Sequence, residues 1–589
     1  MKRSDFNRKI WRMHVAAALL VVLGPVVSAN AQFGQKPDDA LIDWPNKTDP
    51  TLPVVQHTKS FDERLSGLWF SALNQTDSRT RNQAAEAIAS AADQGMTGLD
   101  MMVTRLVSML GDAKENDLTR LAAAKALIAL DAKEQAAALW KANEPVSRDI
   151  LLLTDPVLAR WQYEPAIKGW QKRLADDSES LAVRVSAAKA IGLSENTAAA
   201  ASLLTIAQDQ TQKSVLRLAA AQTYGSYIMI EQSAQGVPLQ AKAGFIDKLV
   251  VVHLLVAHRG QAAQKQLVKL AGDVEPAIAA VAAAHLLEIQ PALLDERLLD
   301  KYKQSGDVKL RTIALERFAQ RKEAASAQPL AVFLDDMDPT IRTTARDRLM
   351  ALSKESGLRQ AVVGVLLETI NGSSTKAQEQ AVLAVGEIDI KEASPRLLKL
   401  ITSDDATVAL SAATSLRKLQ VQATLGPALA YVVKNVSIDT PRDRHRVAAQ
   451  LMYLMGIMKY EPAQATFLQL VPKNSGPSAQ RTAAVWSLGN IHAGQPDSKL
   501  ARLLVGRAND GAGMNPEDQS VREQAVIALG RMKDKASLKA FTKWTTDELD
   551  ASLAIVSRWA IGQTTGMRPP EPEPVSTNIT GWFIEPIDR

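Results

Sequence analysis

Among 589 residues, few side chains stand in patterns that would make bonds or hold metals. There is no cysteine, which removes thiol nucleophiles, thiolate zinc sites, iron–sulfur clusters and c-type haem attachment. No histidine is followed by glutamate. The metalloprotease, nucleophile-elbow, phosphate-loop and dinucleotide glycine patterns are all missing. Gly511-Ala512-Gly513 lacks a third glycine and reads as a loop. The best metal candidates are His253 and His285, with Glu316 beyond them. Two imidazoles and a carboxylate could ligate a divalent cation or titrate together as a pH-sensitive patch. The competing reading is polar residues that are solvated or hydrogen-bonded locally. His253 and His258 are five residues apart and do not share a helix face. Trp486 and Trp559 could anchor a protein partner or pack in a core. No catalytic residue is assigned and no cofactor is expected.

What must position these side chains is a repeat. Arg81 begins RNQAAEAI, Arg120 begins RLAAAKAL, Arg184 begins RVSAAKAI and Arg522 begins REQAVIAL. Arg217 and Arg481 begin further copies, Arg311 and Arg342 weaker ones, and looser matches begin at Arg148, Lys248, Ala280, Gln378, Ala409, His445 and Ala554. A period of roughly 28 to 41 residues marks a stacked solenoid. At 100° per residue, motif positions 1, 4, 5 and 8 share one helix face. Alanine at positions 4 and 5 favours helix and lets neighbours approach closely. Four residues ahead stands a capping type: Asp77, Asn116, Ser180, Asp307, Asp338, Ser374, Asp405, Asp518 or Asp550. A ninth-position glycine (Gly192, Gly225, Gly386, Gly489, Gly530, Gly562) is expected to end the helix with positive φ. An apolar helical run precedes each motif, so each unit is a pair of antiparallel helices. The copies at 148 and 248 lack the alanines and are expected to stack irregularly.

The copy VREQAVIALG, Val521 to Gly530, resembles the HEAT-repeat family in its bacterial, phycobilisome-lyase-like form, and the resemblance covers roughly residues 62–566. It implies an all-α fold: an α-solenoid, a right-handed superhelix of about fifteen HEAT-like helix pairs, with the second helix of each pair lining the concave surface. It also implies that the first-position arginines and the Asp caps form a ladder between repeats.

Motif position 6 would point from the buried face toward that lining. It reads Glu86, Lys125, Leu153, Lys189, Gln222, His253, His285, Glu316, Asp347, Leu383, Thr414, Gln450, Trp486, Ile527 and Trp559. Lys125, Lys189, Gln222, His253, His285, Glu316, Asp347, Trp486 and Trp559 are therefore the candidate binding residues, on side-by-side units about 10 Å apart.

The ends read differently. Lys2, Arg3, Arg8, Lys9 and Arg12 precede an apolar run from Val15 to Val27 and an Ala-x-Ala site at Ala29–Ala31, the pattern of a cleaved secretory signal over residues 1–31. The run falls short of the roughly 20 residues that span a bilayer. Much of the +5 formal charge belongs to this leader. The remaining chain is near neutral, so charge offers no reason to expect nucleic acid as a partner. Residues 32–60 form an extended lead-in, 61–566 the solenoid, and 567–589 a proline-rich tail. The tail ends in Trp582, Phe583 and Ile584, expected to fold over the last repeat or to dock on a partner.

The function expected from these features is a non-enzymatic, exported scaffold, periplasmic or extracellular. It would bind an unidentified protein or peptide through its concave surface, with no transmembrane segment after cleavage. A cell-envelope or polysaccharide-binding structural protein is the alternative. A HEAT-type lyase or metal-dependent enzyme lacks any acid–base constellation.

Overall fold

All nine expected caps hold. The side chains of Asp77, Asn116, Ser180, Asp307, Asp338, Ser374, Asp405, Asp518 and Asp550 each accept a hydrogen bond from a backbone N–H in the first turn that follows. Each satisfies a donor that the helix itself leaves unpaired, contributing about 1 kcal/mol. The computed structural model describes residues 42–53, 57–142, 148–229, 244–546, 550–567 and 575–587. The leader over 1–31, part of the lead-in and most of the loop at 232–244 lie outside them. The chain divides into two units, 1–44 and 45–589, and only residues 42–44 of the first are described.

The second unit is an α-solenoid of HEAT-repeat type, thirty α-helices with two four-residue strands among the described residues. Fifteen second helices, from Ser78–Asp93 to Ala551–Thr565, stack one on the next, and the first helices pack against them. Phe245–Leu255 is the one second helix with no described first helix ahead of it. In the other irregular unit, Arg148–Arg160 carries Pro156 internally and places Asp155 where most other copies have leucine or isoleucine. Asp155 is fully buried and accepts from Trp170 (2.9 Å), Arg173 (3.3 Å) and Ser186 (3.2 Å), while burial raises its pKa.

The motif arginines stitch the stack. Nε of Arg120, Arg184, Arg217, Arg481 and Arg522 donates to the carbonyls of Leu110, Leu174, Ala207, Leu470 and Ala508, at or just past the end of the preceding first helix. A cation there also meets the negative end of the helix dipole. Four members, Arg481 and Arg522 again among them, reach an acid of the next repeat: Arg81 to Glu115 at 2.7 Å, Arg311 to Asp336 at 2.8 Å, Arg481 to Glu517 at 2.6 Å and Arg522 to Asp550 at 2.6 Å. Only Asp550 is itself a cap, so the ladder runs mainly through acids beside the caps.

The reading of the ninth-position glycines is corrected. All six lie inside their helices, and none has positive φ. At five of them, Gly192, Gly225, Gly386, Gly489 and Gly530, the next helix passes too close for a Cβ. At Gly489 an added Cβ would sit 2.7 Å from Cα of Ala528, and at Gly530 it would sit 2.9 Å from Cα of Ala560. The left-handed residues that turn the chain out of several helices are instead non-glycine, among them Lys322, Gln420 and Lys533.

The tail is also corrected. It packs on the first repeat, not the last. β1 (His57–Ser60) pairs in parallel with β2 (Val575–Asn578). Trp582 then stacks edge-on to Trp69 at 5.2 Å and lies 6.3 Å from Phe61, and Trp69 Nε1 donates to the carbonyl of Ile584. Trp69, in the helix Arg64–Leu73, is fully buried by this cover. A free aromatic cluster at a chain end finds its apolar surface where an exposed first helix offers it.

Candidate peptide seat on the second-helix face

The ladder of sixth positions behaves differently along the chain. In the early repeats adjacent rungs do meet. Lys125 pairs with Glu86 at 2.8 Å, both side chains about four-tenths exposed, so the pair contributes little. Lys189 is exposed. Gln222 Nε2 lies 3.5 Å from His253 Nε2. Glu316 pairs with Arg348 at 2.9 Å, and the exposed Asp347 lies 3.2 Å from Arg346.

His253 is half-buried and His285 buried, and burial pushes each pKa down to about 4; Arg259 adds to the effect at His285. Among the described residues no group of three or more His, Asp or Glu side chains is arranged to hold a metal ion. Glu316 is engaged with Arg348 rather than converging with the imidazoles.

Over the C-terminal repeats the open lining expected from position 6 is not found. Leu383, Thr414, Gln450, Trp486 and Ile527 are all buried, and the edge of Trp559 lies against Gly530. Trp486 is covered by a segment of the same chain. The short turn Pro45–Thr48 packs on the helix Ser478–Ile491, with Pro45 buried. Trp486 Nε1 donates to the carbonyl of Asp49 at 3.0 Å. Gln524 Nε2 donates to the carbonyl of Asn46 at 3.2 Å, and the Tyr453 hydroxyl donates to Asn46 Oδ1 at 2.7 Å. Arg531 sits 2.7 Å from the Asp49 carboxylate and stacks over the Trp486 ring at 4.9 Å. Tyr453 meets Trp486 edge-on at 5.2 Å. Burial lowers the Arg531 pKa and raises that of Tyr453, both from loss of water.

Three helices build this seat: Arg442–Ile457 supplies Tyr453, Ser478–Ile491 supplies Trp486, and Gln519–Met532 supplies Gln524 and Arg531. The single-position ladder missed three of its four residues. Gln524 and Arg531 flank Ile527 at three before and four after, and Tyr453 lies three after Gln450. Those offsets share one helix face. Widening the ladder from one position to that face would have found them.

The solved structures similar in fold are HEAT-repeat solenoids. One shows Kap95p, whose binding induces the switch loops of RanGDP to adopt the GTP-bound conformation. The TM-score is 0.52 and the identity 11%, covering 85% of this chain and 72% of that one. Another is the Kap95:Nup1 complex, with TM-score 0.51 and identity 12% over the same shares. At this identity the likeness shows the fold. No protein-family model matches the sequence, and no curated protein matches it.

Proposed function

We propose that the protein is a non-enzymatic scaffold that binds a protein or peptide on the face formed by its second helices, the concave side in solenoids of this kind. The observation that carries the reading is the seat itself. Four side chains from three successive repeats already hold an irregular segment, two of them through its backbone carbonyls. Side chains that bond backbone acceptors and shelter them from water are the means by which a groove takes an extended chain. The Kap95p structures, named for RanGDP and Nup1, supply a precedent for protein partners on this fold. A photocrosslinker at Lys189 or Asp347, both exposed on second helices, tests the proposal. Adducts to one protein partner at these sites support it; adducts confined to the first helices overturn it.

Export is part of the same proposal, as is the bacterial form of the repeat. The leader supports it, and no described helix is long and apolar enough to cross a membrane. Periplasmic or extracellular protein with an N-terminus at Gln32 is the expected product. An uncleaved cytosolic chain would refute export without touching the binding reading.

One observation favours the polysaccharide alternative. An open cleft of about 470 Å³ lies between the tail and the helix Ser78–Asp93, lined by Asn82, Gln83, Glu86, Ser90 and Trp582 among others. Amides beside an indole suit sugar hydroxyls and sugar faces. Quenching of tryptophan fluorescence by oligosaccharides, lost in Trp582→Ala, is the expected sign of it.

A further inference from the structure

We propose that the Tyr453–Trp486–Gln524–Arg531 seat is a recognition site for a partner segment carrying asparagine and, three residues later, aspartate, and that Pro45–Pro50 is its intramolecular competitor. The inference rests on the scaffold reading and adds to it the chemistry of the partner and the means of control.

The groups that the seat presents to the segment are donors: a phenol hydroxyl, an indole N–H, an amide NH2 and a guanidinium. A seat of donors selects acceptors. Two of the four interactions go to backbone carbonyls, of Asn46 and of Asp49, and fix where a chain lies whatever its sequence. The other two go to side chains, Asn46 Oδ1 and the Asp49 carboxylate, and read sequence at a spacing of three. Lysine in place of Asp49 would bring a second cation against Arg531, whose own side chain is only about 10% exposed. Neutral residues would leave Arg531 without its acid.

The occupant is also placed to be exchanged. It is a one-turn helix, Pro45–Thr48, and a short irregular run, outside the stacked helix pairs. The Asp49 side chain is 55% exposed, and Lys47 and Thr48 point to solvent, so much of the segment's surface stays wet. The seat beneath it is rigid, with Trp486 wedged between Tyr453 and Arg531. A segment tethered a few residues from β1 competes at high effective concentration, so a partner's apparent affinity is reduced by the fraction of seats already filled.

The test uses a fluorescein-labelled peptide of residues 43–53 and the full chain, by fluorescence anisotropy. Asn46→Ala combined with Asp49→Lys in the protein weakens the internal occupant without altering the seat. This variant should bind the peptide at least about tenfold tighter than the wild-type chain does. A peptide carrying Asp49→Lys should bind it at least about tenfold more weakly, and adding Arg531→Glu to the protein should reverse that preference. Reversal of preference also shows that the variants fold. Equal binding to wild-type and weakened chains overturns the inference, as does indifference to the charge at Asp49. If the wild-type chain is a dimer whose segments occupy each other's seats, by crosslinking and light scattering, the occupant is a second copy and the partner claim falls. Crosslinks to a partner elsewhere on the second helices would leave the scaffold reading standing after such a failure.

Discussion

The indole nitrogen of Trp486 donates a 3.0 Å hydrogen bond to the carbonyl of Asp49, 437 residues earlier in the chain. The ring is 2% exposed, held between Tyr453 and Arg531. Trp486→Ala should lower stability by about 3–5 kcal/mol. Trp486→Phe keeps most of the apolar contact and should cost about 1 kcal/mol for the lost donor, plus the smaller ring. Hydrogen exchange across Arg442–Met532 measures both, because a solenoid need not unfold in one step.

The tail should act as a clasp. Trp582→Ala removes the ring that covers Trp69 and lies near Phe61. The expected result is faster exchange at the amides of His57–Ser60 and a larger radius of gyration by solution scattering. Unchanged exchange in β1 would show that the strand pair holds without the aromatic cluster.

Two glycines should respond oppositely to alanine. Gly489→Ala places a methyl 2.7 Å from Cα of Ala528, so helices must part, and about 1–3 kcal/mol is lost. Gly364 lies in the helix Arg359–Asn371 with nothing within 4 Å of an added Cβ. Gly364→Ala should gain up to about 1 kcal/mol from helix propensity. Thermal melts of the two variants provide the comparison.

Acid should destabilise the middle of the chain. His253 and His285 stay neutral in the fold down to about pH 4, whereas unfolded imidazole takes up its proton near pH 6.5. The unfolded state therefore binds more protons between those values, and stability falls as pH drops through that window. Each histidine accounts for at most about 3 kcal/mol, with Gln222 the polar neighbour of one and Arg259 opposing the charge on the other. His285→Gln should flatten the fall between pH 6.5 and 4 in a series of denaturation curves.

The repeat was legible because its signals are local. An alanine pair on one helix face, and an aspartate four residues ahead of the arginine, speak about one turn of backbone, and the structure uses both as read. Glycine at position nine was misread because it has two physical uses, freedom of φ and lack of a Cβ, and nothing nearby in sequence separates them. Only the neighbouring helix, as Ala528 beside Gly489, decides. The cover over Trp486 was not legible at all. Asn46 and Asp49 carry no periodicity, and a contact spanning 437 residues leaves no local trace. The tail was recognised as apolar, but its site on Trp69 depends on where the far end of the stack comes to lie.

Stacked arrays lose order first at units with a single neighbour. Here the opening helix is held by Trp582, and the three repeats before the last are held by Pro45–Asp49, so the first unit and most of the closing stack gain a second support. A weaker place lies inward at Phe245–Leu255, which packs closely on Ser214–Tyr227 but follows no described first helix and meets Pro276–Ile289 only lightly. Heating should melt the chain from its middle outward, and a protease nick there should leave two fragments that still travel together through their outer ends.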